Sequence, residues 1–224
     1  MCGRFIQTAT PEMIAQQFHV STPPLITPRY NIAPSQPIAA VRIDPGTATR
    51  MFVMLRWGLI PSWAKDPKIG YQCLNAKAET VAEKPSFRAA FKARRCLVIA
   101  TGFYEWQVQG RTKQPMWIGL KSHRPFAFAG LWEQWQPPEG TVIESCTILT
   151  TDPNELLRPI HNRMPVMLAP TAYDQWLDPT FQHVESLKAL LRPYPSEELL
   201  AYPVSTLVNN PRHDAPECLE PLPV

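Results

Sequence analysis

Glycine is scarce in this chain and proline is abundant, with 9 glycines against 26 prolines in 224 residues. Because proline lacks a backbone N–H and breaks helix interiors, this balance disfavours long helices and favours short strands joined by rigid loops. Long apolar runs are missing as well: none approaches the roughly 18 residues of a membrane-spanning helix, and no secretion signal opens the chain. The sequence therefore predicts a cytoplasmic protein with no membrane partner.

Paired cysteines are also missing. The five cysteines are odd in number, widely spaced and include no C-x-x-C pair (Cys2, Cys73, Cys96, Cys146 and Cys218). This spacing argues against a disulfide framework and a zinc site, so we expect a reducing compartment and no bound metal. The net charge of +3 identifies no partner, because affinity for phosphate depends on where Lys and Arg lie rather than on their sum.

What the chain does have is a series of short apolar segments separated by turn signals. Thr10-Pro11 with apolar residues at Ile14 and Phe18 predicts a short helix that ends near His19. Residues 28–37 are proline-rich and polar, which predicts a loop. Further helices are predicted at 79–93, 171–177 and 184–192, and strands in PIAAVRI, MFVMLRW, CLVIA, FYEWQV, QPMWIGL, PFAFAGLW and CTILT.

Many short strands with few helices are typical of a single α+β domain. No repeat, low-complexity tract or domain boundary interrupts the pattern. We therefore predict one domain over residues 1–224, with a curved antiparallel sheet or open β-barrel-like core and peripheral helices.

The segment MCGRF places a cysteine at position two. If Met1 is removed, Cys2 carries a free α-amine and a thiol on adjacent carbons. An α-amine has a pKa near 7.7–8.0, so roughly one in ten is uncharged at pH 7 and able to attack a carbonyl. Gly3 permits close backbone approach and Arg4 supplies a cation suited to phosphate. The alternative interpretation of Cys2 is an ordinary surface thiol.

Three further segments carry groups suited to proton transfer or positioning. Asn75, in LNAKAET, can donate and accept hydrogen bonds, although a turn asparagine is the simpler interpretation. Glu105 lies among aromatics in TGFYEWQ, where desolvation would raise its pKa, but pairing with an arginine is also compatible. His161, in RPIHNRMPVML, suits proton transfer near neutral pH or an ordinary structural role.

Trp63 differs from the other tryptophans, which are mostly predicted core residues. It lies in IPSWAKDP, a polar segment bounded by prolines where burial is hard to arrange. An exposed aromatic ring near basic residues can stack on an unpaired base. Trp63 is therefore a predicted platform or wedge for single-stranded nucleic acid.

Six segments in this order, MCGRF, RYNIAP, RWGLIPSW, NAKAET, GFYEW and IHNRMPVML, resemble the SRAP family of SOS response-associated peptidase-like, abasic-site-processing proteins. The resemblance runs from residue 2 to at least about residue 170. It implies one compact α+β domain with a barrel-like sheet and a positively charged cleft for single-stranded DNA. It also implies covalent capture of abasic sites by a monomer that associates with the nucleoid when bound to DNA, with no cofactor.

The resemblance also implies a role for each candidate residue. Cys2 is the crosslinking residue, whose amine and thiol together close a thiazolidine ring on the sugar aldehyde. Asn75 orients the reacting groups, His161 protonates the sugar oxygen, and Glu105 transfers protons. The implied peptidase activity best fits self-removal of Met1. The implied DNA contacts are Arg4, Asn31, Trp63, Lys77, Trp106 and Arg163.

Two positions depart from the family pattern. Lys77 stands where members usually carry arginine, which reduces a bidentate phosphate contact to a point charge. Asn162 replaces an aspartate commonly found after the histidine, and this puts the orientation or pKa of His161 in question.

Two other functions are compatible with parts of the sequence. N-terminal-nucleophile glutamine amidotransferases also begin Met-Cys-Gly, but they typically continue with an aliphatic residue where this chain has Arg4, and they need glycine-rich motifs. The other alternative is a module that shields single-stranded DNA without covalent chemistry. Ammonia release that depends on Cys2 would indicate the first, and a complex lost on denaturation would indicate the second.

Overall fold

Two β-sheets and four short helices make up the described part of the chain, residues 2–21 and 23–222 of a computed structural model. The strands are β1 (Arg4–Gln7), β2 (Arg29–Ile32), β3 (Pro37–Ile43), β4 (Arg50–Trp57), β5 (Asn75–Lys77), β6 (Arg95–Ala100), β7 (Gly102–Gln109), β8 (Thr112–Leu120), β9 (Phe126–Trp135), β10 (Ile143–Thr151), β11 (Met164–Pro165), β12 (Met167–Leu168) and β13 (Leu199–Pro203). The helices are α1 (Pro11–Phe18), α2 (Arg88–Ala93), α3 (Tyr173–Leu177) and α4 (Val184–Ala189).

Five strands of the larger sheet close into a barrel. The antiparallel series β4, β3, β6, β9 and β10 is completed because β10 returns beside β4 in parallel. Closure gives each of these strands a neighbour on both sides along part of its length. The short strand β5 joins this sheet by pairing in parallel with β10, which places Asn75 opposite Ile148. The predicted α+β class with a barrel-like core is confirmed, and the barrel is closed rather than open.

The second sheet is antiparallel, in the order β13, β8, β7, β1 and β2. One of its faces packs against side chains of the barrel strands in a shared core. Phe5 of β1 contacts Trp57 and Phe128 edge to face, with ring centroids 5.3 and 5.8 Å apart. Such pairs add to the gain from burial. The shared core therefore fixes the start of the chain, next to β1, against the barrel.

The helices pack on a second core cluster formed with other barrel side chains. Helix α1 begins as the sequence predicts: the Thr10 side chain accepts a hydrogen bond from the Met13 N–H, and Ile14 and Phe18 are buried. It ends at His19, which has the left-handed φ of 54° typical of a helix terminus. None of the described helices is long and apolar enough to cross a membrane.

Two predicted elements are wrong in part. Residues 28–37 were expected to form a loop but contain β2, whose Tyr30 and Asn31 N–H groups donate to the Asp214 carboxylate. The helix predicted at 79–93 is confined to α2, because the turns around Thr80 and the proline at position 85 disfavour an earlier start. Strand β13 was not predicted at all.

Candidate active site beside the first strand

Cys2 lies two residues before the start of β1 and is fully buried. Its thiol contacts the Arg4 carbonyl oxygen, with Sγ 3.8 Å from that atom. Burial and the nearby negative charge of Glu105 raise the pKa of the Cys2 thiol far above its usual value, which keeps the sulfur protonated. The predicted loss of Met1 concerns a residue outside the described part of the chain.

Asn75 holds the backbone of Cys2. Its Nδ2 donates to the Cys2 carbonyl oxygen at 3.0 Å. The neighbouring Leu74 carbonyl accepts a 2.9 Å hydrogen bond from the Trp57 indole, which anchors the entrance to β5. The Asn75 Oδ1 is buried and receives no hydrogen bond from the described residues. Asn75 therefore carries a vacant acceptor on the same amide group that binds Cys2.

Glu105 lies on β7 and is 2% exposed. Because β1 runs antiparallel to β7 with Arg4 opposite Tyr104, the chain that precedes Arg4 passes alongside Glu105. Burial raises the pKa of the Glu105 carboxyl to about 7. A carboxyl group with this pKa can both give and take a proton at neutral pH.

His161 completes the group from the opposite side. Its Nε2 lies 3.9 Å from Oε2 of Glu105, and its Nδ1 accepts a 3.0 Å hydrogen bond from the Arg163 backbone N–H. Burial lowers the pKa of His161 below its usual value, so the ring is predominantly neutral at pH 7. Nδ1 also lies 3.1 Å from the Arg163 carbonyl oxygen, so the Arg163 backbone holds the ring with Nε2 facing Glu105. The structure thus brings together all four predicted catalytic residues.

Three of the predicted DNA contacts meet at one C-terminal turn, Thr206–Asn209, instead of an open surface. Arg4 Nη1 donates to the Val208 carbonyl oxygen at 2.6 Å and to Asn31 Oδ1 at 2.9 Å. Asn31 is fully buried, and the Trp106 indole donates to Asn209 Oδ1 at 2.7 Å. Protein groups occupy the polar atoms of all three residues, and their contact with DNA stays a prediction.

The other three predicted contacts differ among themselves. Trp63 is 59% exposed, as the sequence predicts, and Lys77 at the end of β5 is also exposed. Arg163 is held instead by carboxylates: its Nη1 and Nη2 bind the two oxygens of Glu79 at 2.8 and 2.9 Å, and Nη1 also binds Asp152. A phosphate would have to compete with these groups for Arg163.

Comparison with known proteins assigns the family. A family model described as SOS response associated peptidase (SRAP) matches residues 1–211 of the chain. The chain belongs to the SRAP family. It is 47% identical over 224 residues to the abasic site processing protein YoqW of Bacillus subtilis (strain 168), with 98% of this chain and 99% of that protein covered. The family resemblance noted in the sequence is therefore confirmed.

Two further comparisons agree with the SRAP assignment. The abasic site processing protein YoaM of Bacillus subtilis (strain 168) is 46% identical, with 98% of each chain covered. A crystal structure of a protein from Bacteroides thetaiotaomicron matches with a TM-score of 0.88 at 26% identity, and covers 99% of this chain and 100% of its own. The likeness extends over the whole fold.

Sequence reasoning missed two residues at the site of this SRAP chain. Thr150 on β10 is buried opposite Lys77 in the parallel register, and its Oγ1 has no hydrogen-bond partner among the described residues. Asp152 follows β10 and pairs with Arg163. A lone threonine in an apolar strand and a single surface aspartate carry no sequence signal. Among residues 2–21 and 23–222, no group of three His, Cys, Asp or Glu is arranged to hold a metal.

Proposed function

We propose that this SRAP protein captures abasic sites in single-stranded DNA by forming a covalent bond to Cys2. The observation that carries the proposal is the placement of Cys2 against Asn75, with Glu105 and His161 within 3.9 Å of each other beside it. The reaction needs an amine and a thiol, an amide that forms hydrogen bonds, and two groups that exchange protons. The relatives named abasic site processing proteins support it.

The reaction starts once Met1 is removed and the Cys2 amine is free. The nitrogen attacks C1′ of the open-chain sugar aldehyde, and the carbonyl oxygen leaves as water, which gives an imine. The sulfur then adds to the imine carbon, and the thiol proton passes to the nitrogen. The product is a five-membered thiazolidine, which resists hydrolysis better than the imine does.

The neighbouring side chains divide the proton transfers. Asn75 orients the amine and the open sugar through its free Oδ1. The protonated form of His161 delivers its Nε2 proton to the departing oxygen, and Glu105, with a pKa of about 7, takes up and returns protons as nitrogen and sulfur react. Reversal by the same route releases the DNA.

The same pair of residues serves removal of Met1. Hydrolysis of the Met1–Cys2 bond needs a base to activate water and an acid to protonate the departing Cys2 nitrogen. Glu105 and His161 supply these roles, since the chain before Arg4 runs beside Glu105. This self-processing accounts for the peptidase in the family description without any other protein as substrate.

The single-stranded DNA reaches Cys2 across the exposed residues of the protein surface. Trp63 stacks on a base and Lys77 neutralises a phosphate, while Arg4, Asn31, Trp106 and Arg163 shape the walls of the path. Unpaired bases suit this arrangement because an exposed ring stacks only on a base that has left its helix. The protein acts as a monomer in the cytoplasm and on the nucleoid.

One experiment tests the proposal. The purified protein is incubated with an oligonucleotide that bears a single abasic site, denatured and analysed on a gel and by intact mass. We expect a denaturation-resistant adduct whose mass equals protein lacking Met1 plus DNA minus one water, and which is absent for Cys2→Ala. A complex that dissociates on denaturation would instead indicate shielding alone, and ammonia release from glutamine that depends on Cys2 would indicate an amidotransferase.

A further inference from the structure

The two terminal nitrogens of Arg163 are engaged by protein acceptors, whereas its buried Nε has no acceptor among the described residues. Its two terminal nitrogens make four hydrogen bonds: one to each Glu79 carboxylate oxygen, one to Asp152 Oδ1 at 2.9 Å and one to the Thr150 carbonyl oxygen at 2.7 Å. These two nitrogens carry four hydrogens, so every one of them has an acceptor. The Arg163 side chain is only 13% exposed. Arg163 is therefore anchored in the chain without DNA.

The backbone of the same residue fixes His161. The Arg163 N–H and carbonyl oxygen lie 3.0 and 3.1 Å from Nδ1 of His161 and hold the ring with Nε2 toward Glu105. An anchored arginine side chain limits the movement of its own peptide N–H. The ring orientation of His161 thus depends on what holds the Arg163 guanidinium.

Glu79 is the main anchor. It binds Arg163 through both carboxylate oxygens, the geometry that gives charged pairs their directional strength. Asp152 makes a single bond, and its side chain is 78% exposed. Glu79 also follows β5 by two residues, on the segment that carries Asn75. The Glu79–Arg163 pair therefore links the segment whose Asn75 binds Cys2 to the segment that carries His161.

We propose that Glu79 is a positioning residue for the acid–base chemistry, acting through Arg163 to keep the His161 ring in a single tautomer and orientation, with Nε2 facing Glu105. The proposal rests on the proposed function only for its kinetic consequence. Its structural consequence, the tautomer and orientation of the ring, holds whatever the substrate is.

The first test is spectroscopic and uses no DNA. Two-bond proton–nitrogen NMR spectra of the full chain, assigned with His161→Ala, report which ring nitrogen of His161 carries the proton. We expect a single ring tautomer in the wild type and in Asp152→Asn, averaged nitrogen shifts in Glu79→Gln, and partial recovery in Glu79→Asp. A Glu79→Gln spectrum identical to that of the wild type overturns the proposal, even if DNA crosslinking is confirmed.

The second test is kinetic. At saturating protein, we expect Glu79→Gln to slow adduct formation on an abasic oligonucleotide about tenfold, less than the 10²–10⁴-fold effect of a direct acid–base group. Asp152→Asn should stay within about twofold of the wild type, and the affinity of Glu79→Gln for the same oligonucleotide with all bases intact should be unchanged. If Glu79→Gln instead binds intact DNA more tightly and crosslinks at the normal rate, Glu79 only competes with phosphate for Arg163 and the proposal fails.

Circular dichroism and thermal melts of each variant separate this effect from misfolding. The Glu79→Asp variant keeps the charge and shortens the reach by one methylene, so it should fold like the wild type. A wild-type chain that forms no adduct at all would refute the proposed function while the NMR result still decides the role of Glu79.

Discussion

The side-chain amide of Asn75 donates a 3.0 Å hydrogen bond to the carbonyl oxygen of Cys2. This bond joins β5, which extends the barrel sheet, to the residue that precedes the first strand of the second sheet. Chain termini are usually frayed, but Cys2 is fully buried and its backbone is fixed. A reactive group held in one place loses little freedom when its target arrives, which favours reaction.

Replacement of Asn75 by aspartate tests this bond. The carboxylate would face the Cys2 carbonyl oxygen without a hydrogen to donate, so repulsion should displace the first residues and destabilise the fold by about 1–3 kcal/mol. We expect the rate of adduct formation, measured on denaturing gels, to fall by about two orders of magnitude for a displacement near 1 Å. Asn210→Asp, at an exposed position, is the matched control and should crosslink normally. Normal crosslinking by Asn75→Asp would contradict the role of the amide.

The raised pKa of Glu105 predicts a pH-dependent stability. Below pH 4.5 the carboxyl is protonated in both the folded and the unfolded chain, so it has no effect. As the pH rises from 4.5 to about 7, the unfolded chain releases the proton while the folded chain retains it, and the free energy of unfolding falls. The full loss, reached above pH 7, is about 3 kcal/mol.

The Glu105→Gln variant should not show this loss of unfolding free energy, because glutamine does not titrate. In urea denaturation, we expect the variant to match the wild type near pH 4 and to be more stable by up to about 3 kcal/mol at pH 8. Glu139→Gln, at an exposed position, should differ from the wild type by less than about 0.5 kcal/mol at both values. A stability difference that is the same at pH 4 and pH 8 would show that the pKa of Glu105 is unperturbed.

The sequence predicts the local elements of this fold better than their long-range contacts. Helix α1 is recognisable because its cap at Thr10 and its apolar spacing are local signals. Strand β2 cannot be recognised in the sequence, because its hydrogen bonds to Asp214 join residues far apart in the chain. The sequence motifs suffice to propose Cys2, Glu105 and His161 as site residues. They do not predict the ion pairs of Arg163 with Glu79 and Asp152, because these residues come together only after folding.

The burial of Asn31 predicts a structural role beside the predicted contact with DNA. Its Nδ2 is shared by the carbonyl oxygens of Val208, Asn210 and His213 at 2.8 to 3.1 Å. Asn31→Ala removes this donor from the three acceptors, of which the Val208 oxygen keeps its hydrogen bond from Arg4, so we expect a loss of about 1–3 kcal/mol in the free energy of unfolding. Asn209→Ala, which removes one exposed acceptor from Trp106, should cost less than about 1 kcal/mol. Equal stability of both variants in urea titrations would refute this role.

For Trp63 we expect little effect on stability and a clear effect on DNA binding. Because its ring is 59% exposed, Trp63→Ala should leave the melting temperature nearly unchanged. We expect the affinity for a single-stranded oligonucleotide, measured by fluorescence anisotropy, to fall by the 1–3 kcal/mol typical of one stacked base. Val142→Ala removes another exposed apolar side chain and is the control, with no expected change in affinity. A Trp63→Ala variant that binds single strands like the wild type would remove Trp63 from the DNA path.

Lys77 predicts how binding depends on salt. An exposed lysine that neutralises one phosphate releases about one counterion, so Lys77→Ala should weaken binding to single strands and reduce the slope of log K against log salt by roughly 0.7. Lys77→Arg restores the charge and adds a bidentate fork, so we expect the wild-type slope with higher affinity. Lys92→Ala is the matched control because Lys92 is exposed on helix α2, which contacts β6 and β9. If Lys77→Ala and Lys92→Ala show the same slope of log K against log salt, Lys77 makes no phosphate contact. The DNA then takes another route to Cys2.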